Sequence, residues 1–496
     1  MIYEAAMTDT LERPLYRKVQ DQLVGAILRG SMPAGSRLPS LRRLARDLGV
    51  SRITVEAAYE ALEAQGLIES RARSGTYVTG FGVHEAADAG NARERALPWE
   101  SRIAPGPNPA RERMLGQVFR GMQPEGAIPF AWGAGDPDLF PVDEFRVIIN
   151  RILRQARGAA LGPEETQGNR ELRSAFAAYL RKLGIPATTD GVMVTSGSQQ
   201  AIDLVVGALV RPGERVAVED PTWPGALGAL EAAGAEVAGI PLDEHGMRID
   251  ALARELARGD VRLIYTVPTY QNPTGSVMPA ARRRELVSLA RRHGVPILED
   301  DALREVRFGS ALPPPLAALD AGGNVICIGS FSKSVMPAAR LGYLVAPPAL
   351  LAWAVARKRS RDMFCSPLLQ RAMAAYLESG EAVRHWKRIS RVYEKRQRAM
   401  GEALKRHFPP EARWSRPAGG PVMWVRLPDR IPVRALFDEA MRAGVSFAPG
   451  EAFFVAPADQ PYIRLNFAAL DADRIEAGIA RLGALLRAAP QKETAP

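Results

Sequence analysis

Lys333 is one of only eight lysines in the chain, and small hydroxyl residues surround it in the sequence SFSK (330–333). A lysine amine that is shielded from water can form a Schiff base with a carbonyl compound. Ser330, Ser332 and Arg340 are residue types suited to bind a phosphate group. The segment therefore indicates covalent chemistry on a carbonyl compound that carries a phosphate.

Three further segments carry polar residues at the ends of predicted strands: SGSQQ (196–200), YQNPTG (270–275) and EDD (299–301). In open α/β sheets, ligands bind beyond the carboxyl ends of the strands. SGS before a predicted helix offers backbone N–H groups and the positive end of the helix dipole to the same phosphate. We therefore expect the three segments to lie around Lys333.

The remaining candidates are suited to a pyridine ring. Asp300 can keep a ring nitrogen protonated, which makes pyridoxal 5′-phosphate an electron sink. Asn272 can donate to a phenolic oxygen, and Trp223 has a flat face for stacking. Taken singly, SGSQQ is an ordinary helix cap, EDD a solvated strand end, QNPTG a turn and Lys333 a surface lysine. Together, in this order, the four features favour one cofactor site.

The segments between residues 190 and 346 alternate short apolar runs with helical patterns. This alternation predicts an α/β fold with a mostly parallel sheet covered by helices. After residue 346 the pattern changes to long helices and then to a smaller mixed unit. The predicted strands are GVMVTS, ERVAVED, AEVAGIP, RLIYTVP, VPILED, NVICIGS and LGYLVAP.

Residues 1 to about 80 predict a separate helical unit. Apolar residues at intervals of four predict a first helix that Gly30 ends, and Ser40 and Ser51 can cap two further helices. Two strand-like runs, LIES and TYVT, flank a basic hairpin tip with Gly75 at the turn. The start of the third helix can meet base edges, and the arginines suit DNA phosphates. The candidates for DNA contact are Arg42, Arg43, Ser51, Arg52, Thr54, Arg71 and Arg73. The alternative is a helical hairpin with a solvated basic face.

The composition of the 496 residues is that of an ordinary globular protein, with a net charge of +10 that permits an anionic partner. Two cysteines exclude a disulfide scaffold and a cysteine-rich zinc module, and no metal site is expected. The longest uncharged run, between Arg340 and Arg357, is too short and too rich in proline to span a membrane. With no apolar leader at the start, we expect a cytoplasmic protein. Residues 81–125 lack a sustained period and are predicted to be a linker.

The amino-terminal sequence, from PLYRKVQDQL through SLRRLARDLGVSRITVEAAYEAL to SGTYV, resembles the winged helix-turn-helix of GntR-type regulators. The resemblance implies a domain at 1–80 that binds a double-stranded DNA operator. Residues 126–490 resemble the fold-type I aminotransferases in the order and spacing of their motifs. The combination resembles the MocR/GabR group of GntR-type regulators, with a smaller lobe at about 370–490. That group implies a head-to-tail homodimer that senses a small amino compound.

The resemblance also implies residue roles. Lys333 is the lysine that forms the Schiff base with pyridoxal phosphate, and Asp300 is the partner of the ring nitrogen. Arg464, in YIRLNFA, grips a ligand carboxylate, for which a planar bidentate donor is required; the alternative is a solvated strand arginine. The residues implied to contact the ring or the phosphate are Gly197, Ser198, Gln199, Trp223, Asn272, Ser330, Ser332 and Arg340.

The sequence departs from the aminotransferase pattern at two places. The family has a tyrosine two or three residues after the aspartate of EDD, where this chain has Ala302 and Leu303. A second tyrosine reaches the partner subunit's phosphate in the family, where LGPEETQG offers Pro163. Loss of the hydrogen bond from the second tyrosine weakens phosphate binding without abolishing it. Loss of the first tyrosine puts proton transfer at the lysine in doubt. A ligand-responsive regulator without efficient turnover is therefore the first hypothesis, and a working aminotransferase of amino acids and 2-oxo acids is the second.

Overall fold

The structure is a computed structural model of the chain. It describes residues 15–28, 31–71, 74–79, 102, 109–120, 127–131, 135–309, 311–456 and 461–488. Contacts between Cα atoms divide the chain into two compact units, Met1–Ala104 and Pro105–Pro496. We call them the amino-terminal and the carboxy-terminal unit.

The amino-terminal unit contains three helices and a hairpin: α1 (Leu15–Leu28), α2 (Leu41–Leu48), α3 (Arg52–Ala64), β1 (Ile68–Arg71) and β2 (Gly75–Val78). Both predicted caps are confirmed, since the side chain of Ser40 accepts from Arg43 N and that of Ser51 accepts from Thr54 N. Gly49 ends α2 in the left-handed conformation (φ 64°), which glycine adopts without a steric penalty. The predicted stop at Gly30 lies outside the described residues.

Apolar side chains of the three helices and the hairpin form the core of this unit. Val55, Ala58 and Leu62 of α3 are completely buried, and Leu44 of α2 packs with them. The hairpin differs in detail, because each strand lies about one residue away from its predicted position. Gly75 pairs with Arg71 inside β2 instead of forming the turn.

Helix α4 (Pro109–Arg120) corrects the prediction that residues 81–125 are a linker without regular structure. The apolar face of this helix is short, so the apolar residues show no sustained helical period in the sequence. The helix is stabilised by docking, because Arg111 and Met114 are buried against the rest of the carboxy-terminal unit. A short helix of this kind depends more on tertiary contacts than on its own propensity.

An eight-stranded, mostly parallel sheet forms the centre of the carboxy-terminal unit, as predicted. Across the sheet the order is β4–β11–β10–β9–β8–β5–β6–β7, with β11 and the short β7 antiparallel to their neighbours. All seven predicted strands are present. The strands are β4 (Val192–Thr195), β5 (Arg215–Asp220), β6 (Glu236–Asp243), β7 (Gly246–Met247), β8 (Val261–Thr266), β9 (Ile297–Asp300), β10 (Val325–Ser330) and β11 (Gly342–Val345); the two-residue strand β3 (Ile128–Pro129) precedes them.

Helices cover both faces of this sheet. On one face Phe176 packs in the same cluster as Val194, and on the other Val205 packs with Met193, so adjacent residues of β4 enter opposite cores. These helices are α5 (Val142–Ala156), α6 (Arg170–Lys182), α7 (Ser198–Leu209), α8 (Pro224–Ala232), α9 (Ile249–Leu256), α10 (Ala280–His293), α11 (Leu316–Leu319), α12 (Pro348–Arg361) and α13 (Pro367–Glu378).

The smaller mixed lobe predicted at the end of the chain follows the 27-residue helix α14 (Glu381–His407). Its antiparallel sheet has the order β12–β13–β16–β15. The elements of the lobe are β12 (Arg413–Trp414), β13 (Val422–Arg426), α15 (Val433–Arg442), β14 (Val445–Ser446), β15 (Ala448–Pro449), β16 (Tyr462–Asn466) and α16 (Ala472–Ala488). None of the helices that the structure describes is long and apolar enough to cross a membrane.

Candidate cofactor site and DNA-binding surface

The four predicted motifs lie at the carboxyl ends of strands of the large sheet. SGSQQ follows β4, Asp300 is the last residue of β9, and SFSK begins at the last residue of β10. YQNPTG follows β8 after a few residues. Because β8, β9 and β10 are adjacent and parallel, their carboxyl ends lie at one edge. The sheet therefore brings the motifs together as predicted.

A cradle for an anion lies between the end of β4 and Arg340. The Arg340 Nη2 donates to the carbonyl of Ser196 at 2.9 Å, and a Cβ atom added to Gly197 would lie 3.3 Å from the same nitrogen. Gly197 is in a positive-φ conformation (φ 92°) and directly precedes α7. The first N–H groups of that helix have no intrahelical acceptor. Arg340, itself at φ 45°, therefore faces a helix start suited to a phosphate.

Trp223 lies at the start of α8, next to this cradle. Its indole Nε1 donates to Gln199 Oε1 at 3.1 Å, and the Gln199 amide nitrogen donates to the carbonyl of Gly225 at 2.7 Å. The two bonds hold the half-buried indole beside the start of α7. The structure thus brings Trp223 into contact with Gln199. This contact cannot be predicted from the sequence, where the two residues are far apart.

Asp300 is buried, and two donors orient its carboxyl group. The Tyr265 hydroxyl donates to Asp300 Oδ2 at 3.1 Å, and the Ala302 N–H donates to Oδ1 at 3.2 Å. Burial raises the pKa of Asp300 to about 7. A protonated ring nitrogen next to Asp300 would favour its ionised form. The carboxyl group is therefore well suited to pair with a cation.

Lys333 lies in the turn after β10, and burial lowers the pKa of its amine to about 8, with further lowering by the cations Arg464 and Arg340. A lysine with such a pKa is partly neutral near physiological pH and is then a nucleophile. Both Arg464 and Arg340 are therefore near the amine of Lys333.

Arg464, on β16, is buried and meets no carboxylate within 4 Å among the residues that the structure describes. Its Nη1 donates to Asn272 Oδ1 at 3.2 Å and its Nη2 to the carbonyl of Ala131 at 2.6 Å. The guanidinium carbon lies 4.9 Å from the ring centroid of Phe453. Burial lowers the pKa of Arg464 to about 10. Because Arg464 is buried, the alternative of a solvated strand arginine is wrong. An incoming carboxylate would supply the missing counter-charge.

Several buried polar atoms of this site have no hydrogen-bond partner in the part of the chain that the structure describes. They include Ser332 Oγ, next to Lys333, and Arg464 Nε. A ligand can supply partners for buried polar groups of this kind. The Gly197 cradle and Ser332 Oγ fit a pyridoxal phosphate, whose phosphate Ser330, Ser332 and Arg340 could hold. No group of three metal-ligating side chains occurs among the described residues.

The structure also shows the surroundings of the residues that stand where the aminotransferase pattern has its two tyrosines. Leu303 is buried, and its side chain lies near Gly420. Ala302 contributes only its backbone N–H to Asp300. Pro163 lies in the loop before α6, with an exposed side chain. None of the three supplies a hydroxyl group, so the predicted loss of two phenols stands.

Sequence reasoning missed a buried polar network behind the anion cradle. Lys358 is completely buried, and its Nζ contacts Asp362 at 2.7 Å and Gln200 Oε1 at 3.1 Å. The same Gln200 oxygen accepts from Ser196 N at 2.9 Å. The network therefore holds the backbone on which the cradle depends. The sequence feature that could have indicated this network is a lysine on an otherwise apolar face of α12.

The amino-terminal unit exposes most of its predicted DNA contacts. Arg42, Arg43 and Arg52 are exposed at the starts of α2 and α3. Ser51 and Thr54 bond each other, with 2.8 Å between their hydroxyl oxygens, so they serve first as the cap of α3. Arg73 lies outside the described residues.

Arg71 makes contacts within the amino-terminal unit that were not predicted from the sequence. Its Nε donates to Glu69 at 2.7 Å, and its guanidinium carbon lies 4.7 Å from the ring centroid of Tyr77. Sequence reasoning also missed Ile53, whose side chain is 77% exposed beside Arg52. An exposed apolar side chain at the start of a recognition helix can contact a thymine methyl group.

The fold and the site define an amino-terminal helix-turn-helix unit joined to a domain with the architecture of class I and II aminotransferases. The description "Bacterial regulatory proteins, gntR family" matches residues 15–78, and "Aminotransferase class I and II" matches residues 127–482.

Relatives share both parts. The chain is 31% identical to the uncharacterized HTH-type transcriptional regulator YisV of Bacillus subtilis, over 94% of each chain. It is also 31% identical to the probable rhizopine catabolism regulatory protein MocR of Rhizobium meliloti, over 94% of this chain and 92% of that one. The chain therefore belongs to the GntR-type transcriptional regulators that carry an aminotransferase class I and II domain.

A solved structure covers the carboxy-terminal part. LysN, the α-aminoadipate aminotransferase of Thermus thermophilus, in complex with N-(5′-phosphopyridoxyl)-L-leucine, matches with a TM-score of 0.72 and 33% identity. The match covers 79% of this chain and 99% of that one. The likeness thus extends to an enzyme whose structure holds a derivative of pyridoxal phosphate.

Proposed function

We propose that this regulator binds an operator in double-stranded DNA through its amino-terminal unit and senses a carboxylated amine through pyridoxal phosphate. Lys333 carries the proposal, because its partly neutral amine lies in the turn after β10, near Arg340 of the anion cradle and near the buried Arg464. Pyridoxal phosphate supplies a carbonyl group that bonds amines and a ring that withdraws electrons. The proposal includes a homodimer, which the family resemblance implies, and a cytoplasmic location, which is the expectation from the sequence.

The residues around the site have separate roles in this proposal. Arg340 and the start of α7 would bind the phosphate of the cofactor, Trp223 would stack on its ring, and Asp300 would pair with its nitrogen. Lys333 would supply the amine that links to the carbonyl group of the cofactor. Arg464 selects amines that carry a carboxylate, because a guanidinium pairs with a carboxylate through two parallel hydrogen bonds.

The exposed arginines of α2 and α3 support the DNA part of the proposal. Arg52 and Ile53 at the start of α3 are placed to read base edges, as in other helix-turn-helix proteins. Arg42 and Arg43 are placed to contact phosphates, which position a protein without reading sequence. Bound ligand changes operator affinity only if it binds one conformation of the protein more tightly than another.

A working aminotransferase is the second candidate, and retention of Lys333, Asp300 and Asn272 favours it. Leu303 and Ala302 argue against efficient turnover, because neither offers a phenol near the lysine. The test combines three measurements on purified, cofactor-loaded protein: visible absorbance with carboxylated amines, operator binding, and formation of 2-oxo acid. Spectral change and altered DNA binding without turnover support the sensor. Turnover in the ordinary range of about 1–10³ per second would favour the enzyme.

A further inference from the structure

Arg111 attaches helix α4 to the segment Ala452–Val455, which we call the strap. The Nη1 atom of Arg111 donates to the carbonyl of Ala452 at 2.7 Å, and both Nη atoms donate to that of Phe454 at 3.1 Å. Nη2 reaches the carbonyl of Val455 at 3.3 Å. The Nε atom donates to Glu231 of α8 at 3.1 Å. One guanidinium group thus binds three carbonyls of the strap.

Apolar packing reinforces this attachment. Met114, one turn after Arg111 on α4, is buried in a cluster with Ala452, Phe453 and Trp424. The side chain of Arg111 is only 1% exposed. Helix α4 and the strap therefore meet through a dry, close-packed contact, and such contacts transmit displacement instead of absorbing it.

The strap also contacts both ends of the ligand site. Its Phe453 ring lies 4.9 Å from the guanidinium carbon of Arg464. On the other side, the Thr222 N–H donates to the carbonyl of Phe453 at 2.8 Å, and the Val455 N–H donates to Asp220 Oδ1 at 3.0 Å. Asp220 and Thr222 lie three residues and one residue before Trp223. A movement of Arg464 toward a carboxylate therefore acts on the segment that Arg111 holds.

We propose that Arg111 is a positioning residue that couples carboxylate binding at Arg464 to helix α4 through the strap. The inference rests on the proposed function, because it takes Arg464 as the carboxylate contact. Helix α4 belongs to the carboxy-terminal unit and follows the amino-terminal unit in the chain. It is therefore the first helix that the structure describes after the amino-terminal unit.

The planar geometry of the guanidinium group makes the proposal testable by a conservative substitution. Arg111→Lys keeps the charge but cannot bind three carbonyls and Glu231 at once, because an ammonium group lacks the flat fork of donors. Arg113→Lys is the matched control, since Arg113 lies on the same helix with an exposed side chain. Phe453→Leu provides a second variant, which keeps an apolar side chain but removes the ring facing Arg464.

The experiment uses the full cofactor-loaded chain and two probes, L-leucine and 3-methylbutylamine, which is the same amine without the carboxylate. In Arg111→Lys the dissociation constant for L-leucine, measured by visible absorbance, should rise about tenfold, while that for 3-methylbutylamine stays within twofold. Hydrogen exchange of residues 109–120 should slow on addition of L-leucine to wild type and to Arg113→Lys. It should not change in Arg111→Lys or Phe453→Leu.

The outcomes separate this inference from the proposed function. Equal weakening of both amines by Arg111→Lys would show a merely structural role and overturn the inference. Slowed exchange of α4 in Arg111→Lys would overturn it as well. A wild-type protein whose absorbance responds to neither amine would refute the proposed function, and the inference with it.

Discussion

The arginines of the amino-terminal unit and those of the carboxy-terminal unit carry the same charge in opposite surroundings. Arg42 and Arg52 are exposed at the starts of their helices. Arg464 and Arg111 are only 4% and 2% exposed, and both donate to backbone carbonyls. Arg111 also pairs with Glu231. The first pair is hydrated and screened by salt, whereas the second pair has lost its water.

This difference determines how each group can work. An exposed cation contributes little alone, so a DNA-binding surface needs several of them. A buried cation such as Arg464, which meets no carboxylate within 4 Å among the described residues, depends strongly on its few contacts, and one incoming anion changes its surroundings completely. We therefore expect single substitutions to have large effects in the ligand site and small ones on the DNA-binding surface.

The largest effect is expected from Lys333→Ala. This variant should lose the visible absorbance that comes from the covalent link between the lysine and pyridoxal phosphate. Cofactor should still bind without that link, because Arg340 and the start of α7 remain. Lys387→Ala, at an exposed position of α14, is the control. Borohydride labelling of a lysine other than Lys333 in wild type would contradict the assignment.

The second effect is the loss of carboxylate selectivity in Arg464→Gln. A hydrogen bond to a charged group contributes about 1.5–3 kcal/mol, which corresponds to about 10- to 150-fold in affinity. We expect L-leucine to bind more weakly by that factor, as measured by spectral titration. Binding of 3-methylbutylamine should change little, and a parallel loss for both amines would place the carboxylate elsewhere.

The third effect is a pH dependence of cofactor attachment. Because burial and the cations Arg464 and Arg340 lower the pKa of Lys333 to about 8, the neutral amine becomes tenfold rarer with each pH unit below 8. The rate of attachment to cofactor-free protein should therefore rise with pH and level off above about 8. Arg464→Gln removes a neighbouring positive charge and should move the midpoint to higher pH.

Stopped-flow absorbance measures this rate. The reaction of pyridoxal phosphate with a small amine in solution, followed over the same pH range, corrects for titration of the cofactor itself. A midpoint near the ordinary lysine value of about 10.4 would show that the amine is not shielded from water. An unchanged midpoint in Arg464→Gln would show that the arginine does not act on Lys333.

The sequence predicted the parts of the site that lie at the carboxyl ends of parallel strands. Lys333, Asp300 and the SGSQQ segment follow apolar runs, and parallel strands bring such ends together whatever the loops do. It did not predict the contact of Arg111 with the strap, because about 340 residues separate the two. Nor did it predict α4, whose stability comes from that docking. Contacts between distant segments of this kind leave no local pattern in the sequence.

The smallest effects are expected on the DNA-binding surface, where the difference between exposed and buried arginines can be tested residue by residue. Each phosphate contact removed should lower the slope of log affinity against log salt by about one unit. Arg42→Ala should thus weaken operator and random duplex alike. Arg52→Ala should weaken the operator more, by about 1–3 kcal/mol, because a side chain that reads a base edge contributes to discrimination. Binding to both duplexes across a salt series, by fluorescence anisotropy, separates these results.

If Arg52→Ala lowered only the salt slope and left the ratio between operator and random duplex unchanged, Arg52 would be a phosphate contact. Base reading would then fall to other residues at the start of α3, of which Ile53 is the most exposed apolar one.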